Sequence, residues 1–209
     1  MRSRPSRRER CGCRPGPWGW RERRGLAELA DRHDVDFLDA PVLGTRQPAE
    51  QGTLTVLVGG PDALREKAAP VFDAIGSRTV WVGERPGDGH RLKLVANSWV
   101  ATVTAGTAQA VALAEALGLD PRQFLEVISG GPLDLPYAQL KGKAMIADEF
   151  PTSFAVNGVV KDLGLIAAAM READVHDGVV EAVATAFRTA DAAGHGDDDM
   201  AAVVHAFRP

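Results

Sequence analysis

From His90 to Leu117 the chain runs for about 28 residues without a proline, roughly 42 Å if helical at 1.5 Å per residue. Ala, Val, Thr and Gly make up most of it, so apolar groups lie nearly all round the helix and other protein is expected to bury it on most sides. Such a helix needs partners, and the flanking sequence divides accordingly. Downstream, helical spacing recurs over 121–129, 140–147, 160–172, 178–193 and 200–207, with no strand pattern after residue 86. Upstream, a helix end at 26–30, a strand over 36–42, a buried strand over 53–58, a helix over 61–75 and a strand over 79–82 alternate. Alternation of helix and strand predicts a mostly parallel or mixed sheet. Three strands are few for a free-standing sheet of that type. The reading is therefore α/β plus all-α: the C-terminal part of a Rossmann-type domain over 25–86, then a long linking helix opening an all-helical domain over 87–209.

Residues 1–24 have a different texture. They carry nine arginines against two glutamates, with Pro5, Pro15 and Pro17 spoiling an amphipathic helix. This stretch is expected to be a disordered leader. It lacks the apolar segment of a secretory signal. Because the whole chain has a net charge of −4, the remainder is clearly acidic, which argues against nucleic acid as a partner. Both cysteines, Cys11 and Cys13, lie in the leader, so the body has none, as suits a reducing cytoplasm. No run reaches the roughly 18 apolar residues that span a membrane.

Within the long helix, Lys93 and Asn97 stand four residues apart and so on one face. Leu92, Leu94, Val95, Ala96, Val100 and Ala101 around them offer little to pair with an ammonium group. Such surroundings disfavour the charged lysine and bring its pKa toward the range useful for proton transfer. Upstream, Asp39-Ala40-Pro41-Val42-Leu43-Gly44-Thr45 is a strand that ends in a glycine turn, which can present backbone N–H groups to an anion. Val160-Lys161-Asp162-Leu163 places a charged pair on a later helix. His195 beside Asp197, Asp198 and Asp199 raises a metal site as one reading, and capping of the last helix by aspartate as the simpler one.

Taken together these segments resemble the β-hydroxyacid dehydrogenases, the family of 3-hydroxyisobutyrate dehydrogenase and, more distantly, 6-phosphogluconate dehydrogenase, from about residue 25 onward. The resemblance implies an NAD(P)-dependent oxidoreductase passing hydride between nicotinamide and a hydroxyacid-like or related carbonyl substrate. It implies Lys93 as acid/base, Asn97 as its catalytic companion, Lys161 as a cofactor contact, and Leu43, Gly44 and Thr45 as the substrate turn. It implies no metal, since relatives end in a similar Gly-x-Gly-Asp-x-Asp turn without one. The chain departs from the family pattern at Leu43 (serine), Thr45 (glycine) and Ala96 (asparagine); loss of the serine hydroxyl points to a bulkier or less polar substrate. The family's opening Gly-x-Gly-x-x-Gly cradle for the dinucleotide pyrophosphate is absent, so the resemblance reads as N-terminally incomplete by about 80 residues.

The further expectations are NAD or NADP as cofactor, a small-molecule substrate, no nucleic acid or membrane partner, a homodimer through the helical domain, and a cytoplasmic location. Two alternatives stand beside them. One is a non-catalytic remnant serving oligomerisation or binding. The other is an imine reductase-like enzyme, against which the retained lysine counts.

Overall fold

A computed structural model describes the backbone of residues 11–12 and 20–209 and the side chains from residue 25 onward. Most of the leader lies outside the described residues. Within it, Cys11–Gly12 form a strand, β1, and α1 spans Trp20–Arg32. β1 pairs in parallel with β2, Asp36–Phe37, whose backbone groups it satisfies.

The chain divides into two compact units between Val95 and Ala96, inside the long helix and later than the boundary expected at residue 87. In the first unit, β3 (Val42–Leu43), α2 (Arg46–Glu50), β4 (Leu54–Gly59), α3 (Arg65–Ile75) and β5 (Gly76–Gly83) follow β2. The sheet order is β3-β4-β5, with β3 antiparallel and β5 parallel to β4, a mixed sheet as the alternation implied. The single strand expected over 36–42 is broken into β2, a bridge between Asp39 and Gly59, and β3. Pro41 lies at this break and has no N–H to donate, while its carbonyl still accepts Leu57 N–H at 2.8 Å.

β4 is almost wholly buried, which is why its sequence is a continuous apolar run rather than an alternation. Leu38, Val56, Val58, Ala68 and Phe72 form a core between sheet and α3, with Ala40, Val42, Leu64 and Trp81 packed against it. Phe72 meets Trp81 edge to face at 6.3 Å, and the Arg65 guanidinium covers the indole at 4.7 Å. α3 ends where Gly76 turns to extended backbone, and β5 starts at that residue.

α4 spans Asp88–Ala116. α5 (Pro121–Ile128), α6 (Pro136–Ala147), α7 (Val156–Glu172) and α8 (Gly178–Ala190) follow in the second unit, and a 3-10 turn over Met200–Ala206 comes near the C-terminus. Within this unit α4 buries Ala101, Thr104, Ala105, Ala108, Val111 and Ala112, spaced by three and four residues. α4 is buried or half-buried at most positions, in keeping with the expectation, but one apolar stripe faces outward: Val95, Trp99 and Leu113 are 65%, 60% and 57% exposed.

The terminal turn is the best-buried stretch of the second unit, with Met200 to Val204 each fully enclosed. It packs on α6, α7 and α8. Asp199 holds its start: its carboxylate accepts Ala201 N–H at 3.0 Å, the capping role read from the sequence. Lys141 Nζ lies 2.6 Å from the same carboxylate, both side chains buried, and Ser153 donates to it through Oγ at 2.7 Å. Burial alone would raise the Asp199 pKa. The Lys141 ammonium, the Ser153 hydroxyl and the backbone N–H groups of Ala201 and Ser153 outweigh it and hold the carboxyl below its ordinary range. Neighbouring Tyr137 is pushed up to about 12, first by burial and then by the Asp199 charge.

The histidines are less isolated than their scatter in the sequence suggests. His195 and His205 stack with ring centroids 4.1 Å apart, and His195 Nδ1 lies 2.8 Å from Asp198. Among the described residues no three His, Cys, Asp or Glu side chains gather as a metal site, and no helix is long and apolar enough to cross a membrane.

Candidate active site

The first unit assembles its site where the exit from Asp39 to Thr45 meets the start of α4. Two glycines make the meeting possible. Gly87 takes φ +101°, which turns the chain into the helix, and Gly89 lies so close to β4 that a Cβ there would sit 2.4 Å from the Leu57 carbonyl oxygen. The first turn of α4 therefore rests on the sheet backbone, and its donors face the strand exit.

Asp39, buried to 1% exposure, receives those donors. Its Oδ2 accepts Gly87 N–H at 3.1 Å and His90 N–H at 2.9 Å, and its Oδ1 pairs with His90 Nδ1. One turn further along, half-buried Lys93 donates from Nζ to the Val42 carbonyl at 2.8 Å. Val42 immediately precedes Leu43, Gly44 and Thr45. The structure thus brings Lys93 to the turn that the sequence marked for substrate. Leu43 and Thr45 are half-buried and Gly44 is exposed with φ +126°. Thr45 takes the N-cap position of α2 without a side-chain hydrogen bond to the helix start.

In the second unit Asn97, one turn beyond Lys93 on α4, donates from Nδ2 to Asp162 Oδ2 at 2.7 Å. Asp162 is half-buried on α7, whereas Lys161 beside it is exposed. The sequence reading gave Asp162 only as the other half of a charged pair with Lys161. The structure instead gives Asp162 the task of orienting Asn97. That is reasonable chemistry, because a short carboxylate at 162 reaches a neighbouring helix while the longer lysine extends to water.

Three partners in this arrangement were not singled out from the sequence: His90, the Asp39 carboxylate that caps α4 from a distance, and Asp162, which accepts from Asn97. The glycines at 87 and 89 signalled a close backbone approach, but nothing local identified the acidic group, 48 residues earlier in the chain, that would receive it.

A cofactor's footing can be tested on the same unit. Beside the C-terminal ends of β2 and β4 lies a cleft of about 380 Å³, walled by Phe37, Pro61, Leu64 and Pro86 with Asp31 and Asp36 at its polar side. Apolar walls suit a flat ring, while the Asp36 carboxylate is already paired with Lys67 Nζ at 2.8 Å.

Residues 87–207 match the family model for the NAD-binding domain of NADP-dependent 3-hydroxyisobutyrate dehydrogenase, and residues 18–83 match that for the NAD binding domain of 6-phosphogluconate dehydrogenase. Over 172 residues the chain is 35% identical to glyoxylate/succinic semialdehyde reductase 2, chloroplastic, of Arabidopsis thaliana, covering 82% of this chain and 48% of that protein. Among solved structures, 3-hydroxyisobutyrate dehydrogenase from Salmonella typhimurium superposes with TM-score 0.82 at 26% identity, covering 90% of this chain and 66% of the other. The Mycobacterium tuberculosis 3-hydroxyisobutyrate dehydrogenase with L-serine gives TM-score 0.82 at 27% identity, covering 91% and 67%. The chain spans about half of the length of the curated relatives it matches.

Proposed function

The chain belongs to the β-hydroxyacid dehydrogenase family, and from that premise we propose that it serves NAD(P)-dependent hydride transfer between nicotinamide and a hydroxyacid-like or related carbonyl substrate. The observation that carries the reading is Lys93 Nζ held on the Val42 carbonyl, beside the Leu43-Gly44-Thr45 turn. The nicotinamide cofactor, when bound, takes up or supplies the hydride. The chain's own residues handle the proton and the placement. Lys93, as the free amine, removes the hydroxyl proton while the alcohol carbon is oxidised, and as the ammonium returns it in reduction. Asn97, steadied by Asp162, offers its amide to the reacting oxygen. The Gly44–Thr45 turn and the Thr45 hydroxyl receive the polar end of the substrate, and Leu43 narrows the choice toward a less polar body. Lys161, exposed on α7, contributes positive charge to the cofactor.

Both named relatives and ligand chemistry support the substrate class. The Arabidopsis relative is named for two small aldehyde acids, and the L-serine in the tuberculosis structure is itself a β-hydroxyacid. A homodimer through the helical unit belongs to this reading, supported by the outward apolar stripe of α4, as does a cytoplasmic location, supported by the cysteine-free body.

The test uses the whole chain. NADH and NADPH are titrated by fluorescence, and oxidation of a panel of β-hydroxyacids is followed by NAD(P)H absorbance. One cofactor should bind, and Lys93→Ala should lower kcat by about 10²–10⁴-fold while leaving that binding intact. Failure of both cofactors to bind at millimolar concentration would favour the rival, a non-catalytic oligomerisation protein.

A further inference from the structure

We propose that Asp39 and His90 act as a positioning couple that sets where Lys93 is held; this rests on the reading of Lys93 as the acid/base. Two rungs join the strand exit to the first turns of α4. One is the Asp39 carboxylate on His90, and the other is the Lys93 ammonium on Val42 O. The rungs are three residues apart on each rail, 39 to 42 and 90 to 93, so they close one small frame. The first rung is fully enclosed: the side chains of Asp39 and His90 are 0% and 7% exposed.

Physical chemistry assigns the rungs different tasks. Helix starts leave N–H groups without intrahelical partners and carry partial positive charge, so a carboxylate there is held by both hydrogen bonds and dipole. Asp39 supplies that carboxylate from a strand instead of from the helix's own leading residue. Its Oδ2 already accepts two backbone N–H groups, which keeps it an acceptor. The ring nitrogen facing Oδ1 must then carry a proton, so His90 donates from Nδ1. This bond fixes the rotation of α4 about its axis, because His90 contributes both a backbone and a ring donor to one carboxylate. Rotation of the helix sets the direction of the Lys93 stem one turn later. With the first rung gone, the first turn of α4 opens locally and Lys93 leaves the Val42 carbonyl.

The experiment reads Lys93 directly in the whole chain, by the rate of acetylation with acetic anhydride followed by mass spectrometry across pH. Lys67, paired with Asp36 at 2.8 Å in the same unit, is the internal reference for an intact fold. In His90→Leu, which fills the space but donates nothing, Lys93 should label about threefold faster or more with Lys67 unchanged. In His90→Asn, whose Nδ2 overlays the imidazole Nδ1, the wild-type rate should return. An unchanged Lys93 rate in His90→Leu with Lys67 protected overturns the proposal. If Lys67 is also released in His90→Leu, Asp39→Asn is judged by the same criterion. The wild-type chain supplies a reading that needs no variant: a strongly deshielded proton on His90 Nδ1 in nitrogen-edited NMR is expected, and its absence overturns the proposal. The two readings fail separately. Labelling that follows His90 in a chain that oxidises no hydroxyacid leaves the positioning standing and removes the dehydrogenase reading. Turnover whose kcat is indifferent to His90→Leu does the reverse.

Discussion

Lys141 and Asp199 show how a single buried pair governs local stability. Both side chains are about 5% exposed and 2.6 Å apart, so neither charge has water to fall back on. Removing one partner of such a pair costs about 3–5 kcal/mol, because the other is left buried and uncompensated. Lys141→Met should therefore lower stability by that amount at neutral pH, read by chemical denaturation of the whole chain. The pH dependence follows from the direction of the Asp199 shift. Folding holds its pKa below the unfolded value of 3.8, so its contribution is complete above that value and is lost as pH falls through the lower folded one. In Lys141→Met the stranded carboxyl titrates higher, and the deficit should narrow on acidification as Asp199 takes up a proton. A deficit independent of pH would assign the pair to packing alone.

At the scale of elements, the start of α4 is where propensity and packing conflict. Alanine is favoured over glycine inside a helix by about 1 kcal/mol. At residue 89 the added Cβ would lie 2.4 Å from Leu57 O and 3.0 Å from Asp39 O, both backbone atoms that cannot swing aside. Overpacking of this kind costs about 1–3 kcal/mol. The clash should win. Gly89→Ala is expected to lower the melting temperature and to speed Lys93 labelling, whereas Gly106→Ala, on the same helix with no atom within 4 Å of an added Cβ, should be neutral or stabilising. On the same element, apolar composition implied burial on most sides, which most positions of α4 show, but composition could not say which face stays open, and Trp99 and Leu113 are left outside.

For the molecule as a whole, the proposed dimer rests on that uncovered stripe. Trp99 and Leu113, joined by Leu117 at 66% exposure, form more apolar surface than isolated exposed residues would make. Sedimentation equilibrium should find a dimer, and Trp99→Glu should shift it to monomer without unfolding; a wild-type monomer would remove the dimer from the functional reading. What the sequence by itself determined is what depends on near neighbours: the alternation of helix and strand that gives a parallel or mixed sheet, the all-helical second part, the four-residue spacing of Lys93 and Asn97, and the motifs that place the chain in its family. Periodicity and turn chemistry are local, so they survive without a fold. Only the tertiary structure decided which polar groups meet. Asp39 finds His90 across 51 residues, Asn97 finds Asp162 across 65, Lys141 finds Asp199 across 58, and His195 stacks on His205. Each buried charge needed a partner, but several residues of suitable type were available in the chain. Packing of the sheet and helices selected among them, because only in the folded chain does a buried group lose water and require one particular neighbour in its place.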